Sequence, residues 1–285
     1  MILVTGATGT TGTEVLRALR ERGVDARGLI RTEAKADHVR ELGAEPAIGD
    51  LADVESLKQA LDGVERAYLC TPVGPRQAEL ERGFVEAARA AGVAHVVKLS
   101  VIGASAQSPL RFNESHAAGE QALRESGLEW TFLRPNGFMQ NTLAWPRQVR
   151  RGTFYSPVPD ASFSIVDARD IGEVAAAALA DDGHAGKAYG LTGPEPVSYR
   201  DQARRVFAAA GREVEVQEVP IQAIRESLVQ MGFPQWNADG LGELFEYYAS
   251  GAATAVASGV QDVLGRPPRS LDDFARDHVE AFKGG

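Results

Sequence analysis

The sequence predicts an α/β fold, built as a doubly wound parallel sheet with a small C-terminal α/β lid region. Short apolar segments alternate with longer amphipathic ones from residue 1 to about residue 135, a pattern typical of parallel strands joined by crossover helices. A glycine-rich turn follows the first apolar segment directly, and 44 % hydrophobic with 24 % charged residues is the composition of a globular chain. We expect a first domain over residues 1-150 and a smaller lid region over residues 151-285, interleaved with the same core.

The predicted strands of the first half are aliphatic or β-branched and are bounded by Gly, Asp or Pro. They lie at residues 2–5, 26–30, 45–48, 67–70, 95–100 and 130–133. Helical spacing of apolar residues predicts helices between them at 13–22, 54–61, 76–91 and 114–126, each followed by a glycine that can end it.

The second half is less regular and reads as a lid rather than as an independent domain. We predict a helix at 137–151, strands at 153–156, 163–166 and 214–219, and helices at 168–180, 199–210, 221–231, 237–248 and 270–282. Ser198 and Ser270 precede two of these helices, and each is followed three residues later by an aspartate, as in a capping box.

Charge and cysteine content exclude several functions. The 30 basic and 39 acidic residues give a net charge of −9 without a basic stripe, which argues against nucleic-acid binding. The single cysteine excludes an internal disulfide framework, and the histidines lack metal-ligand spacing, so we expect no metal. No apolar stretch approaches the ~20 residues that span a bilayer, and we expect no membrane partner and a cytoplasmic location.

The glycine-rich turn predicts a dinucleotide site. Its sequence is Gly-Ala-Thr-Gly-Thr-Thr-Gly from Gly6 to Gly12, directly between the first strand and the first helix. Gly6 permits the turn, Gly9 lets the backbone approach a pyrophosphate, and Gly12 permits close packing of helix on strand. The helix N-terminus would bind the phosphates. We expect the cofactor-binding residues of this turn to be Gly6, Thr8, Gly9, Thr10, Thr11 and Gly12. The domain over residues 1-150 is therefore predicted to be an NAD(P)-binding Rossmann domain.

The end of the second strand favours NADPH over NADH. NAD-specific sites place an acidic residue there to bind the ribose 2′-hydroxyl, whereas this strand ends in Arg31, with Lys35 one turn further on. A guanidinium matches a 2′-phosphate, so we expect NADPH as the favoured cofactor, with NADH still possible. Arg31 stacked on adenine or free in solvent is the alternative.

The Gly-x-x-Gly-x-x-Gly spacing resembles that of the short-chain dehydrogenase/reductase superfamily. Residues 133–141, Leu-Arg-Pro-Asn-Gly-Phe-Met-Gln-Asn, are similar to a signature of its NmrA-like branch, and residues 232–236 resemble that branch's C-terminal lid. The branch includes triphenylmethane reductases, an NADPH-dependent quinone reductase type and redox-sensing regulators. The resemblance covers nearly the whole chain and implies further cofactor-binding residues: Asp50, Leu51, Thr71, Pro72, Asn136, Gly137 and Phe138.

The resemblance also shows what this chain lacks. Typical superfamily members use Ser, Tyr and Lys, but Phe112 stands at the Tyr position and His116 at the Lys position, and Ser100 alone keeps its polar type. Without the tyrosine, reduction of a simple ketone loses its proton donor, whereas delocalised acceptors take hydride without one. His116 and Ser100 are the candidate catalytic residues. His116 either contacts the nicotinamide ribose or shuttles a proton, or it is a helix residue satisfied by a neighbour.

We therefore expect an NAD(P)H-dependent oxidoreductase that transfers hydride to a flat conjugated acceptor, such as a quinone or an aromatic polyketide-like compound. The candidate substrate-binding residues are Phe138, Asn141, Trp145, Phe233 and Trp236. Two alternatives stay open: a tailoring oxygenase or reductase of aromatic natural-product biosynthesis, and a non-enzymatic NAD(P)-binding redox sensor. The sequence does not decide the oligomeric state, for which a homodimer is one option.

Overall fold

The computed structural model describes residues 1–149 and 152–283. The chain divides into two compact units, each made of separate stretches of sequence. The first unit contains residues 1–135, 168–191 and 259–265, and the second contains residues 136–167, 192–258 and the chain from residue 266 onward. The domain boundary predicted at residues 150 and 151 lies outside the described residues.

The described chain contains strands and helices in alternation over its first half. The strands are β1 (Ile2–Val4), β2 (Ala26–Ile30), β3 (Glu45–Ile48), β4 (Arg66–Leu69), β5 (His95–Leu99), β6 (Glu129–Pro135), β7 (Gly137–Phe138), β8 (Thr153–Ser156), β9 (Ser162–Val166), β10 (Lys187–Leu191), β11 (Pro196–Ser198) and β12 (Glu215–Glu218). The α-helices are α1 (Thr10–Glu21), α2 (Ala36–Glu41), α3 (Val54–Ala60), α4 (Gln77–Ala90), α5 (Arg111–Glu125), α6 (Ala168–Ala180), α7 (Tyr199–Ala209), α8 (Ile221–Gln230), α9 (Gln235–Ala249), α10 (Gly259–Leu264), α11 (Leu271–Asp277) and α12 (Val279–Lys283). Two 3-10 helices cover Glu33–Lys35 and Met139–Arg147 of the described chain.

The first unit is built on a seven-stranded parallel sheet in the order β10-β6-β5-β4-β1-β2-β3. The six predicted strands all belong to it, and the predicted doubly wound sheet is confirmed. The strand order reverses between β1 and β4, and ligands of open α/β sheets bind outside the carboxyl ends of the strands at such a point. The fold therefore places the glycine-rich turn after β1 at the edge where a ligand is expected.

Helices cover the sheet with the apolar stripes that the sequence pattern predicts. Val15, Leu16 and Leu19 of α1 are buried, and the alanine-rich α6 packs closely on α1. At Gly172 of α6 the helices are so close that an added Cβ would lie 2.6 Å from backbone of Glu14. Small side chains on α6 thus let two helices share one face of the unit.

The second unit contains two small sheets, in the orders β11-β9-β7 and β12-β8. Its core is more aromatic than that of the first unit. Phe163 stacks on Tyr248 with ring centroids 4.0 Å apart, and Trp145 stacks on Phe154 at 4.5 Å. Ser198 and Ser270 accept hydrogen bonds from the backbone N–H groups of Asp201 and Asp273, as their spacing predicts.

Two local predictions were wrong, and some elements were not predicted. The segment from residue 137 is not a helix: Gly137–Phe138 pairs with β9 as β7, and a 3-10 helix containing Pro146, which lacks a backbone N–H, follows. The predicted end of that helix at residue 151 lies outside the described residues. Strand β10 and helix α2 were missed because β10 carries a lysine and a glycine and α2 is short. The helix predicted at 270–282 is two helices, α11 and α12.

No helix of the described chain is long and apolar enough to cross a membrane.

Candidate functional site

The glycine-rich turn has the geometry of a phosphate-binding loop. Gly6 adopts φ +61°, a left-handed conformation that favours glycine. A Cβ on Gly12 would lie 2.1 Å from the Gly6 carbonyl oxygen, so only glycine fits where α1 approaches the turn. Gly9 is the extended N-cap of α1, and the first turn of that helix has no acidic residue. The exposed start of α1 therefore presents unopposed backbone N–H groups to an anion.

A cleft of ≈ 510 Å³ opens beside this turn. Its wall comes from the segments that follow β1, β2, β3 and β4, at residues 6–8, 29–32, 49–52, 70 and 72, together with Lys35, Arg76 and Leu80. The cleft brings together seven of the predicted cofactor-binding residues: Gly6, Thr8, Arg31, Lys35, Asp50, Leu51 and Pro72. Its size and position at the carboxyl ends of the strands fit the adenosine half of a dinucleotide.

Charge inside the cleft is arranged for a phosphate at the end of β2. Arg31 and Lys35 both line the cleft and both are exposed, with their cationic ends accessible to a ligand. Asp50 is on a different wall, and its Oδ1 accepts a hydrogen bond of 2.9 Å from the Ala52 N–H. No acidic residue follows β2 at the place where NAD-specific sites hold one. The cleft residues therefore fit a nucleotide with a 2′-phosphate.

A polar cluster lies near the end of the fourth strand, and we call it the Lys98 cluster: Thr71, Gln77, Glu81, Lys98 and His116. Thr71 follows β4, Gln77 and Glu81 lie on α4, Lys98 on β5 and His116 on α5. The Lys98 and Glu81 side chains are both 0 % exposed and form an ion pair of 2.9 Å. Thr71 Oγ1 donates to Glu81 Oε1 at 2.7 Å, which ties this cluster to the loop that carries the cleft residue Pro72.

His116 lies within hydrogen-bond distance of two members of the Lys98 cluster. Its Nδ1 is 3.0 Å from Gln77 Nε2 and 3.3 Å from Lys98 Nζ. Burial, together with the charge of Lys98, lowers the pKa of His116 well below its ordinary value of 6.5. His116 is therefore neutral at physiological pH, which disfavours the predicted role of a proton shuttle near neutral pH.

Ser100 lies in a second polar arrangement next to the Lys98 cluster. Its Oγ donates to Glu120 Oε1 at 2.6 Å, and Arg134 donates to both oxygens of the same carboxylate at 2.8 and 2.6 Å. Burial alone raises the pKa of Glu120, but the hydrogen bonds from Arg134 and Ser100 outweigh it and hold the pKa below its usual range. Ser100 is thus the partner of a buried carboxylate, and its bond to Glu120 orients the hydroxyl.

Lys98, Glu81 and Gln77 were missed by sequence reasoning. The signal for Lys98 was present, since it interrupts an apolar run (His-Val-Val-Lys-Leu) in a strand that a parallel sheet buries on both faces. A charged residue at such a position needs a buried partner of opposite charge. The partner could not be found from sequence, because Glu81 is one of three glutamates of α4, and the other two, Glu79 and Glu86, are exposed.

Eight predicted cofactor-binding residues do not line the cleft. Five of them belong to the first unit: Gly9, Thr10, Thr11, Gly12 and Thr71. The other three, Asn136, Gly137 and Phe138, belong to the second unit. The Asn136 amide donates to Ser164 Oγ at 3.0 Å and to the Ala253 carbonyl at 3.3 Å, so it joins segments of that unit. Gly137 approaches the Phe163 ring, where an added Cβ would lie 3.1 Å from a ring carbon. Phe138 is half-buried.

The predicted substrate-binding residues also lie in the second unit, in different settings. Trp145 is 5 % exposed and belongs to the aromatic core, which leaves little of its ring accessible to a ligand. Asn141 is exposed, Trp236 is half-buried and Phe233 is 47 % exposed between α8 and α9. Phe233, Trp236 and Asn141 therefore retain accessible surface.

Residues 1–149 and 152–283 contain no group of three or more His, Cys, Asp or Glu side chains arranged to hold a metal ion.

Comparison with known proteins identifies the family. The model of the NmrA-like family matches residues 1–274. The chain belongs to this family. Among NmrA-like relatives, the NAD(P)H azoreductase of Xenophilus azovorans is 38 % identical over 283 residues, covering 99 % of both chains. A (4-alkanoyl-5-oxo-2,5-dihydrofuran-3-yl)methyl phosphate reductase of Streptomyces griseus subsp. griseus is 38 % identical over 284 residues, again with 99 % coverage of both.

A solved structure of the same fold contains the nucleotide. The NADPH-dependent quinone oxidoreductase of Escherichia coli, in complex with NADPH, is 27 % identical to this chain with a TM-score of 0.85. The match covers 97 % of this chain and 99 % of the other. The predicted resemblance to NmrA-like reductases is confirmed.

Proposed function

We propose that this protein is an NADPH-dependent reductase that transfers hydride to a flat conjugated acceptor, such as a quinone, an azo compound or an aromatic polyketide-like compound. The observation that carries the proposal is the cleft at the switch point of the sheet, which is lined by the glycine-rich turn together with Arg31 and Lys35. Such a cleft binds a phosphorylated dinucleotide. The predicted class, an NAD(P)H-dependent oxidoreductase, is confirmed by relatives that are named as NAD(P)H-dependent reductases.

The chain's own residues account for binding and orientation. The backbone N–H groups at the start of α1 bind the pyrophosphate, and the Arg31 guanidinium binds the 2′-phosphate. Bound NADPH supplies the hydride. Thr71, held by Glu81, fixes the loop after β4. Positioning of donor against acceptor can supply up to ~7–11 kcal/mol of the barrier reduction.

The proposed class of acceptor follows from the absence of the tyrosine that serves as general acid in typical superfamily members. Phe112 and His116 lie four residues apart on α5, where typical superfamily members have Tyr and Lys, and phenylalanine has no proton to give. General acid catalysis contributes roughly 10²–10⁴-fold, so an isolated ketone would be reduced slowly. A quinone or an azo compound delocalises the charge that hydride addition creates, and reduction then needs no tyrosine.

We propose Phe138, Asn141, Phe233 and Trp236 as substrate-binding residues. Their side chains offer aromatic surface and one amide, which suits a flat ligand with a few polar groups. Trp145 contributes through the core that it shares with Phe154.

The test is anaerobic oxidation of NADPH with three acceptors of similar size: a quinone, an azo dye and a saturated cyclic ketone. We expect turnover with at least one of the first two and a rate lower by ~100-fold or more with the ketone. Phe112→Tyr is the matched variant, since it restores the hydroxyl without restoring the lysine. Equal rates with ketone and quinone, or no turnover with the quinone and the azo dye, would contradict the proposal.

A further inference from the structure

We propose that Lys98 is a positioning residue that holds His116 as a neutral imidazole with its single hydrogen on Nε2. His116 then acts only as a hydrogen-bond donor through Nε2 and never as a proton-carrying imidazolium at physiological pH. The protonation state of His116 does not depend on the proposed function. The effect of that protonation state on the turnover of a quinone rests on the proposed function.

The hydrogens of Lys98 determine the arrangement. An ammonium has three N–H donors and no acceptor. Lys98 Nζ lies 2.9 Å from Glu81 Oε1, 2.9 Å from the Leu99 carbonyl oxygen and 3.3 Å from His116 Nδ1. Two of the donors are taken by oxygens, so the third is directed at Nδ1. That nitrogen must accept, and it can do so only if it carries no hydrogen.

Gln77 contacts the imidazole from α4. Its Nε2 lies 3.2 Å from Glu81 Oε1, 3.0 Å from His116 Nδ1 and 3.4 Å from His116 Nε2. Because it is almost equally far from both ring nitrogens, Gln77 Nε2 lies beside the ring and off the axis of the Nδ1 lone pair. That lone pair is left to Lys98, and the imidazole hydrogen belongs on Nε2.

Burial makes the arrangement stable against protonation. Lys98 and Glu81 are 0 % exposed, and His116 is 9 % exposed. A hydrogen added to Nδ1 would point at the Lys98 ammonium and place two cations 3.3 Å apart. Among the described residues, the charged groups that face His116 are Lys98 from β5 and Glu81 from α4. Glu120 lies one turn further along α5 and forms ion pairs with Arg124 and Arg134.

The arrangement also leaves room for adjustment. Gln77 Oε1 and Glu81 Oε2 are buried and have no hydrogen-bond partner among the described residues. If Lys98 were replaced, a hydrogen on Nδ1 would no longer face a cation. His116 would then accept a second proton, and its tautomer would no longer be fixed.

Nitrogen NMR of the histidine rings tests the proposal on the full chain without cofactor or substrate. In the wild type we expect a bare, pyridine-type Nδ1 and a protonated, pyrrole-type Nε2 for His116 from about pH 5 to about pH 8. His95 serves as the internal reference, because its Nε2 pairs with Thr131 Oγ1 in another part of the sheet. Three results would overturn the proposal: averaged chemical shifts for the two His116 nitrogens, a hydrogen on Nδ1, or titration of His116 near its ordinary pKa of 6.5.

The decisive variant is the double substitution Glu81→Gln/Lys98→Met. It removes both buried charges, so no carboxylate is left without its cation, as would happen in Lys98→Met alone. We expect the proton affinity of His116 to be at least ~10-fold higher in the double variant than in the wild type, because the charge of Lys98 no longer opposes protonation. Lys58→Met removes an exposed lysine paired with Glu55 and should leave His116 unchanged. An unchanged His116 in the double variant would contradict the role of Lys98.

Turnover gives a second readout. With a quinone, any step in kcat that follows the ionisation of His116 should lie at higher pH in the double variant than in the wild type. The two proposals fail separately: an inactive protein with the expected NMR spectrum refutes the reductase, and an active protein with a titrating His116 refutes the role of Lys98.

Discussion

Single charged residues decide what the cleft holds. Arg31 and Lys35 follow β2 at the place where an acidic side chain would select NADH, and both are exposed within the cleft. A guanidinium–phosphate hydrogen bond contributes roughly 1.5–3 kcal/mol, enough for ~10–100-fold selectivity. The choice of nucleotide therefore depends on two side chains at one strand end.

Arg31→Asp should reverse this choice. The new carboxylate repels a 2′-phosphate and can accept from a 2′-hydroxyl, so the preference for NADPH should fall by ~10–100-fold. The measurement is the ratio of kcat/KM for NADPH and NADH with one acceptor. Arg40→Asp is the matched control, because Arg40 is an exposed arginine of α2 that pairs with Asp37 and does not line the cleft. An unchanged ratio in Arg31→Asp would show that the 2′-phosphate binds elsewhere.

At this scale the sequence predicts residues whose role depends on local geometry and misses those whose role depends on distant partners. Gly6 and Gly12 could be assigned because the turn between a strand and a helix is a local structure. The role of His116 could not, because Lys98 and Gln77 reach it from β5 and α4. Its Nδ1 contacts follow from tertiary packing.

At the scale of elements, β5 and α5 are joined by two polar pairs. Lys98 and Ser100 are two residues apart and lie on one face of an extended chain, while His116 and Glu120 are four apart and lie on one face of a helix. Lys98 meets His116, and Ser100 meets Glu120. The two-residue repeat of the extended chain and the four-residue spacing of the helix thus place both pairs of side chains on facing surfaces.

Glycine substitutions test the contact between α1 and its turn. Gly12→Ala should abolish nucleotide binding or folding, since its Cβ would lie 2.1 Å from the Gly6 oxygen. Gly83→Ala is the control within α4, where an added Cβ meets nothing within 4 Å. That control should raise the free energy of unfolding by up to ~1 kcal/mol through helix propensity. Nucleotide titration and urea unfolding of both variants check the result, and normal NADPH affinity in Gly12→Ala would contradict the assignment of the turn.

The predictions of helices and strands failed where the local sequence pattern indicates one structure and pairing with a distant strand imposes another. Residues 137–147 have a composition compatible with a helix, but Gly137–Phe138 is taken into a sheet by β9, and Pro146 cannot donate a helical hydrogen bond. Strand β10 has a weak pattern of its own and owes its conformation to pairing with β6. In both cases the deciding partner is distant in sequence.

At the scale of the whole molecule, the chain leaves its first unit after residue 135 and returns to it twice, at residues 168 and 259. The sequence predicts a lid interleaved with the same core, but the points of return depend on α6, β10 and α10 joining the first unit. Short segments such as α10, with six residues, carry too weak a pattern for that prediction.

Buried neutral histidines should make the protein acid-sensitive. Burial, with the charges of Arg66 and His184, lowers the pKa of His95 from 6.5 to about 4. Between these values the unfolded chain binds more protons, so the free energy of unfolding falls as pH falls from 6.5 towards 4, by on the order of 3 kcal/mol for His95. His116 acts in the same direction.

Urea unfolding at pH 7 and at about pH 4.5 measures this loss. His95→Gln should show a smaller difference between the two pH values than the wild type, because the titrating group is gone. His38→Gln, which replaces a half-buried histidine of α2, is the matched control substitution. Equal pH dependence in His95→Gln and the wild type would contradict the assignment.

The most direct test of the central claim is a single-turnover experiment without oxygen, in which NADPH and NADH are oxidised side by side by a quinone and followed at the nicotinamide absorbance. We predict oxidation of both with NADPH favoured, and a slower single-turnover rate when the transferred hydrogen of NADPH is deuterium. Tight binding of NADPH without oxidation by the quinone would contradict the claim and leave a nucleotide-binding protein that is not a reductase of this acceptor class.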